Sequence, residues 1–185
     1  ASSVRAVGLD ELLEAAELVF EGVVVGAQVR QGHHERDIYT EVTFEVLDVI
    51  KGAYADRFIL LEFSGGTWNG ETVAISDLHR PILGDRGIYF VETLGHRQVH
   101  PLYGWDQGHL RVDADARSGQ EYITTRDRRP VYGVTSIRAL GGRSPGLSDG
   151  VALGLRLQPR AQDEAPMSCD AFKDTLRQML KGVGQ

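Results

Sequence analysis

The side chains best suited to metal or acid-base chemistry are the six histidines. His33 and His34 stand together, followed by Glu35, and His96 and His100 are four residues apart. Imidazole nitrogens hold zinc at about 2.0–2.1 Å, so two histidines share an ion only if both reach one point. An i, i+4 pair on a helix does so. On a strand such a pair shares a face but is separated by about 13 Å. The segment around His96 and His100 reads as a strand, so this pair is not expected to ligate one ion. His33-His34-Glu35 falls in a polar turn and is expected to be solvated. A long-range site joining His79 to another histidine stays open, and zinc titration tests it. No metal site and no cofactor is assigned.

Other chemical motifs fail on particular residues. Asp113–Gly119, DADARSG, begins like a calcium loop, but Arg117 occupies a ligand position and the turn glycine comes one place late. Thr124 also replaces the closing Glu, so the segment reads as a hairpin turn. Ser64-Gly65-Gly66 is no phosphate loop, because no Lys-Ser/Thr follows. Nucleophile elbow, HExxH helix and dinucleotide fingerprint are all missing. Asp85 and Glu92 lie on and near a strand, with nothing in the sequence to bring them together. No catalytic residue is assigned, and the chain is read as non-enzymatic. An unrecognised hydrolase is kept as an alternative. The single cysteine, Cys169, excludes an internal disulfide and reads as a small core residue near a helix start.

The residues better suited to binding are aromatic. Trp68 stands beside Asn69 in a Gly-rich stretch where no strand pattern buries it, and aromatic anchors are common at interfaces. Trp68, Asn69, His33, His34, Tyr103 and Trp105 form the candidate binding set.

These side chains must be positioned by strands. Tyr39–Gly52, YTEVTFEVLDVIKG, is the clearest: Thr40, Val42, Phe44 and Val46 alternate with Tyr39, Glu41, Thr43 and Glu45. A period of two marks one face in a core and one in water. Val19–Val29 precedes it as a strand with Gly22 and Gly26 inside, which marks bulges or bends. Asp56–Phe63 follows, and its near-continuous apolarity predicts burial on both sides. Ser64–Pro81 reads as a loop or small hairpin turning at Asn69-Gly70, with a short strand over Thr72–Ile75. Further strands are expected at Gly87–Thr93, from His96 to His100, at His109–Val112 and at Glu121–Thr125. Leu9–Leu18 is amphipathic at helical spacing, and so is Phe172–Val183, with Ser168 or Asp170 as its cap. Val151–Leu157 is a weak extra strand.

Strands in succession without intervening helices argue against a doubly wound fold. The expected architecture is mainly β: a small five- to six-stranded antiparallel OB-like barrel with an N-terminal and a C-terminal helix. Residues 1–138 are read as the barrel domain and 139–185 as an extension packed on it. Of the 185 residues, 42% are hydrophobic, enough for a core, and the net charge is −6. Scattered Lys and Arg give no footprint for nucleic acid. No apolar run approaches the roughly 20 residues of a membrane span. The small residues Ala1-Ser2-Ser3 suit a mature end left after signal-peptide cleavage.

IYTEVTFEVLDVIKG, Gly65-Gly66, Gly84-Asp85-Arg86 before Ile88-Tyr89-Phe90-Val91, and Gln107-Gly108-His109-Leu110-Arg111-Val112 together resemble a group of uncharacterised exported bacterial proteins. The resemblance covers roughly Ala15–Gly133. It implies an OB-like barrel, export to the periplasm or beyond, and association with matrixin-like metalloproteases. The barrel is also loosely similar to netrin-like inhibitor domains. The resemblance supplies no catalytic residues. The chain departs from the group at Trp68-Asn69-Gly70 and at His96–His100. The resulting expectation is an exported, non-enzymatic protein that contacts a protein or cell-envelope partner through barrel loops. The alternative is an inhibitor or accessory protein of a co-exported metalloprotease, with Thr67–Gly70 as its wedge.

Overall fold

A computed structural model describes residues 4–135 and 146–183. The chain enters through α1 (Leu9–Ala15), which buries Leu9, Leu12 and Leu13 and carries Asp10 and Glu11 in its first turn. Carboxylates there meet the positive end of the helix dipole. The helix stops before the expected Leu18, because Glu17 N–H already donates to Val91 O and Leu18 opens a strand.

The strands are β1 (Leu18–Gln31), β2 (Ile38–Lys51), β3 (Phe58–Ser64), β4 (Gly66–Trp68), β5 (Glu71–Val73), β6 (Arg86–Val91), β7 (His109–Ala114), β8 (Glu121–Thr125), β9 (Gly133–Val134) and β10 (Leu155–Arg156), followed by α2 (Cys169–Val183). Six of them form one antiparallel sheet in the order β3-β2-β1-β6-β7-β8. The β1–β2 register slips three times, between Val19 and Phe20, Glu21 and Gly22, and Val24 and Gly26. The two interior glycines therefore lie where the strand bends, as their positions predict.

Alternation sends β-strand side chains to two apolar faces. On the first, Val19, Ile88, Phe90, Leu110, Val112 and Ile123 pack with α1 and with Cys169, Phe172 and Leu176 of α2. The second face collects Phe20, Val24, Val42, Phe44, Ile59, Leu61, Phe63 and Tyr89. Each large apolar side chain removed from water in this way contributes about 1.5–3 kcal/mol. Phe20, Phe44 and Tyr89 meet edge to face or tilted, with centroids 4.7–5.6 Å apart. Ser168 Oγ accepts the Ala171 N–H at 3.1 Å and caps α2. A buried ion network then fastens α2 to the sheet. Lys173 Nζ lies 2.8 Å from Glu21 and 2.9 Å from Asp48, and Arg86 closes on Glu21 at 2.6 Å.

Several expectations change. The sheet is mainly β, antiparallel and flanked by two helices, but no ladder joins β3 to β8, so it is open and not closed into a barrel. The edge strand β3 alternates strictly: Phe58 and Leu60 are 41% and 51% exposed, while Ile59, Leu61 and Phe63 are buried. Among the described residues the outward side chains of β3 stay exposed, so its apolarity does not mean double burial. The segment from His96 to His100 forms no strand; only Val91 and Leu102 form an isolated bridge nearby. Pro101, which lacks an N–H, follows directly. The weak strand at Val151–Leu157 shortens to β10, which pairs with β9. The boundary at 138/139, Ala1-Ser2-Ser3 and residues 141–145 of the expected Gly141–Gly150 loop lie outside the described residues. On either side of that boundary, β9 pairs with β10 and α2 shares the core of β6, β7 and β8.

Candidate functional site

The six candidate binding residues do not converge. His33 and His34 are exposed in the turn between β1 and β2. Trp68 and Asn69 lie on the β4–β5 hairpin, with Trp68 half-buried and Asn69 at the exposed tip. Asn69 and Gly70 both have positive φ (47° and 81°), which is the backbone an Asn-Gly hairpin turn demands. Tyr103 faces α1 and donates its hydroxyl to Glu11 Oε2 at 2.6 Å. Trp105 stacks on His100 with centroids 5.3 Å apart.

The sheet and the hairpin instead build a cleft of about 690 Å³ on the second face. Its floor is the far end of β1 and β2: Ala27, Val29, Thr40 and Val42. Register places these four on one face, since Val29 pairs with Thr40 and Ala27 with Val42. One wall is the hairpin, through Gly66, Thr67, Thr72 and Val73. The other is the segment from Ile75 through Leu78 to Leu83, with Arg126 at its end.

Two glycines seat the hairpin. Gly65 has φ +99°, its N–H donates to Ile38 O at 2.7 Å, and its carbonyl accepts the Thr40 hydroxyl at 2.8 Å. A Cβ on Gly66 would come within 2.8 Å of Thr40 Oγ1 and 3.1 Å of Val29, so only glycine lets the hairpin lie this close to the floor.

The polar end of the cleft is organised by Asp106. It is buried on a 3-10 turn (Trp105–Gly108) that opens with positive φ at Gly104 and Trp105. Asp106 Oδ2 lies 2.5 Å from His79 Nδ1, and Oδ1 accepts the His79 backbone N–H at 3.2 Å. Arg126 Nε is 3.2 Å from Oδ2, but its N–H is misaligned and makes no hydrogen bond. His100 Nε2, at 3.7 Å, interacts only electrostatically. Burial works to raise the Asp106 pKa, and His100, His79 and Arg126 outweigh it, so the carboxyl is held below its usual range. His79 and Arg126 border both the large cleft and a smaller one of about 290 Å³ beside Trp105 and Ser148.

Beside this lies a layer of buried polar groups on β6 and β7. His109 is fully enclosed against Tyr89, with ring centroids 5.0 Å apart. Burial, and then the nearby Arg111 charge, push its pKa down to about 3. Arg111 bridges Asp85 and Asp113, each at 3.2 Å. Tyr89 Oη, both His109 ring nitrogens and Arg111 Nε have no hydrogen-bond partner among the described residues.

Among the described residues, no three His, Cys, Asp or Glu side chains are placed to hold a metal ion. His79 does meet another histidine, His100, across their shared Asp106. No protein-family model, curated protein or solved structure matches the chain. Sequence reasoning missed Asp106, Arg126, Thr40 and Ile75 as site residues. Thr40 looked like core because it shares a face with Val42 and Phe44. The hint that was available is the unusual run Leu78-His79-Arg80-Pro81 beside a Gly-rich hairpin.

Proposed function

We propose that this chain is an exported, non-enzymatic binding protein and that its ligand seats in the cleft between the β4–β5 hairpin and the Ile75–Leu83 segment. One observation carries the reading: a cleft of about 690 Å³ whose floor is largely apolar and whose charged groups, Arg80 and Arg126 with His79, all come from outside that floor. Small-molecule sites typically have that size and that distribution, about 300–1,000 Å³ with few polar groups. The OB-like resemblance agrees, since such folds bind on one sheet face and through connecting loops. Export and an envelope partner rest on the resemblance alone. The test uses Nile red, a neutral dye that fluoresces in apolar surroundings. The wild-type protein enhances its emission saturably, and Ile75→Asp, at a partly exposed wall position, abolishes the enhancement with the fold intact by circular dichroism. An unchanged signal in Ile75→Asp ends this reading.

A second reading is an inhibitor or accessory protein of a co-exported metalloprotease. The exposed tip of the hairpin at Asn69 and Gly70 favours it, as a wedge for a partner's cleft. Unchanged protease turnover at equimolar protein removes it. A hydrolase reading draws on His79, which Asp106 orients as a general base requires. Esterase, phosphatase and glycosidase substrates test it, and turnover lost in Asp106→Asn displaces the non-enzymatic reading.

A further inference from the structure

The charge lining the cleft is opposite in sign to that of the whole chain. The protein carries a net charge of −6. Yet the ionisable residues bordering the large cleft are His79, Arg80 and Arg126, with no Asp or Glu among its lining residues. Random sampling of this acidic surface would place carboxylates there. Arg80 lines the cleft, is exposed, and has no ion-pair partner among the described residues. Its guanidinium lacks a counter-charge within the protein, and a ligand anion in the cleft would supply one. Among the described residues Arg126 has one ion-pair partner, Asp106, and that carboxylate is also engaged by the His79 ring and backbone. The Arg126 Nε–H is buried and donates to nothing among the described residues.

The rest of the lining is uncharged: hydroxyl and amide groups such as Thr40 and Gln28 stand among the apolar Val29, Val42, Ile75 and Leu78, with Ile82 and Leu83 beside them. Ile82 and Leu83, adjacent in the chain, are 66% and 71% exposed, and covering them with a ligand's apolar part would remove that surface from water. We infer that the cleft takes an amphipathic anion, with its carboxylate or equivalent acidic head at Arg80 and Arg126 and its single apolar tail along Val29, Val42 and Ile75. This deepens the proposed function and rests on it. It disfavours cationic amphiphiles and gives neutral ones weaker binding, because Arg80 then stays without a counter-charge and Arg126 keeps only Asp106.

The experiment displaces Nile red with dodecanoate, dodecyl phosphate or dodecyltrimethylammonium, each below its micellar concentration. Dodecanoate should compete about tenfold or more better than the cationic amphiphile, the scale of one charge-assisted hydrogen bond. If dodecyl phosphate matches dodecanoate, the site reads charge; if it is much weaker, the site reads a planar carboxylate. Arg80→Gln and Arg126→Gln, singly and together, should remove the preference for anion over cation, each variant's competition being read against its own Nile red affinity. Arg80 is exposed, so its variant keeps the test open if Arg126→Gln fails to fold. Equal competition by anion and cation, or a preference that survives the double substitution, overturns the anion assignment. Nile red binding retained in that case leaves the cleft reading standing; no Nile red binding at all sinks the cleft reading itself.

Discussion

His109 makes the fold sensitive to acid, by an amount that follows from its burial. In the folded protein its ring sits against Tyr89 with no exposed nitrogen, and burial first and the Arg111 charge second hold its pKa down at about 3. In the unfolded chain an ordinary histidine titrates at about 6.5. Above about pH 6.5 both states are neutral and the full stability is present. As pH falls below that value, the unfolded chain takes up a proton that the folded protein refuses, so stability drops until the pH nears 3. Between pH 7 and pH 5 this one residue accounts for about 2 kcal/mol. His109→Phe keeps a ring against Tyr89 and removes the titration. Urea unfolding at both pH values measures the difference. The wild-type midpoint should fall by about 1 M more than that of the variant, since urea slopes are about 1–3 kcal/mol per molar. His100, whose pKa burial also lowers, moves both proteins alike and cancels in the comparison. Equal pH shifts in wild type and variant would refute the reasoning.

Other positions give independent checks. A Cβ at Gly87 would sit 2.4 Å from the Leu110 backbone carbonyl, which the β6–β7 pairing holds in place, and 3.0 Å from the buried Tyr89 Oη, so Gly87→Ala should lower stability by about 1–3 kcal/mol in urea unfolding. Lys173→Met removes the cation between buried Glu21 and half-buried Asp48; because Arg86 still pairs with Glu21 and Arg177 with Asp48, the loss should be about 2–3 kcal/mol, read as a lower melting temperature.

The framework was legible because its signals are local. Period-two alternation marked β2, glycine positions marked the bends in β1, and Asn69-Gly70 marked the hairpin. Ser168 could be read as a cap because it stands just ahead of an amphipathic run. Closure of the sheet was not legible, since pairing between β3 and β8 depends on accumulated twist and register rather than on any residue. The double burial predicted for β3 failed for a related reason: which strand lies at the edge is a property of topology.

The site was legible only in fragments. The string Gln107-Gly108-His109-Leu110-Arg111-Val112 carries several tasks at once. Gln107 holds the N-terminal segment through Val7 N–H at 2.8 Å and Arg5 O at 3.0 Å. A Cβ on Gly108 would lie 2.5 Å from Tyr103 O. His109 and Arg111 then point to the polar layer, and Leu110 to the core beneath the helices. None of these roles shows in spacing alone. Likewise His79 and Asp106 are 27 residues apart and gain meaning only when a 3-10 turn brings them to 2.5 Å. The aromatic residues that stood out in the sequence serve separate parts of the fold, and the cleft is made by residues of ordinary type.

The central claim is that ligand is held on the floor formed by the ends of β1 and β2. Amide chemical-shift mapping on the isotopically labelled protein, titrated with dodecanoate below micelle formation, tests it most directly. The account predicts saturable shifts at Val29, Thr40, Gly65, Gly66, Ile75 and Leu78, with the amides of α1 and α2 unmoved. Shifts confined to the helices or to the outer face of β3, or none at all, would contradict it.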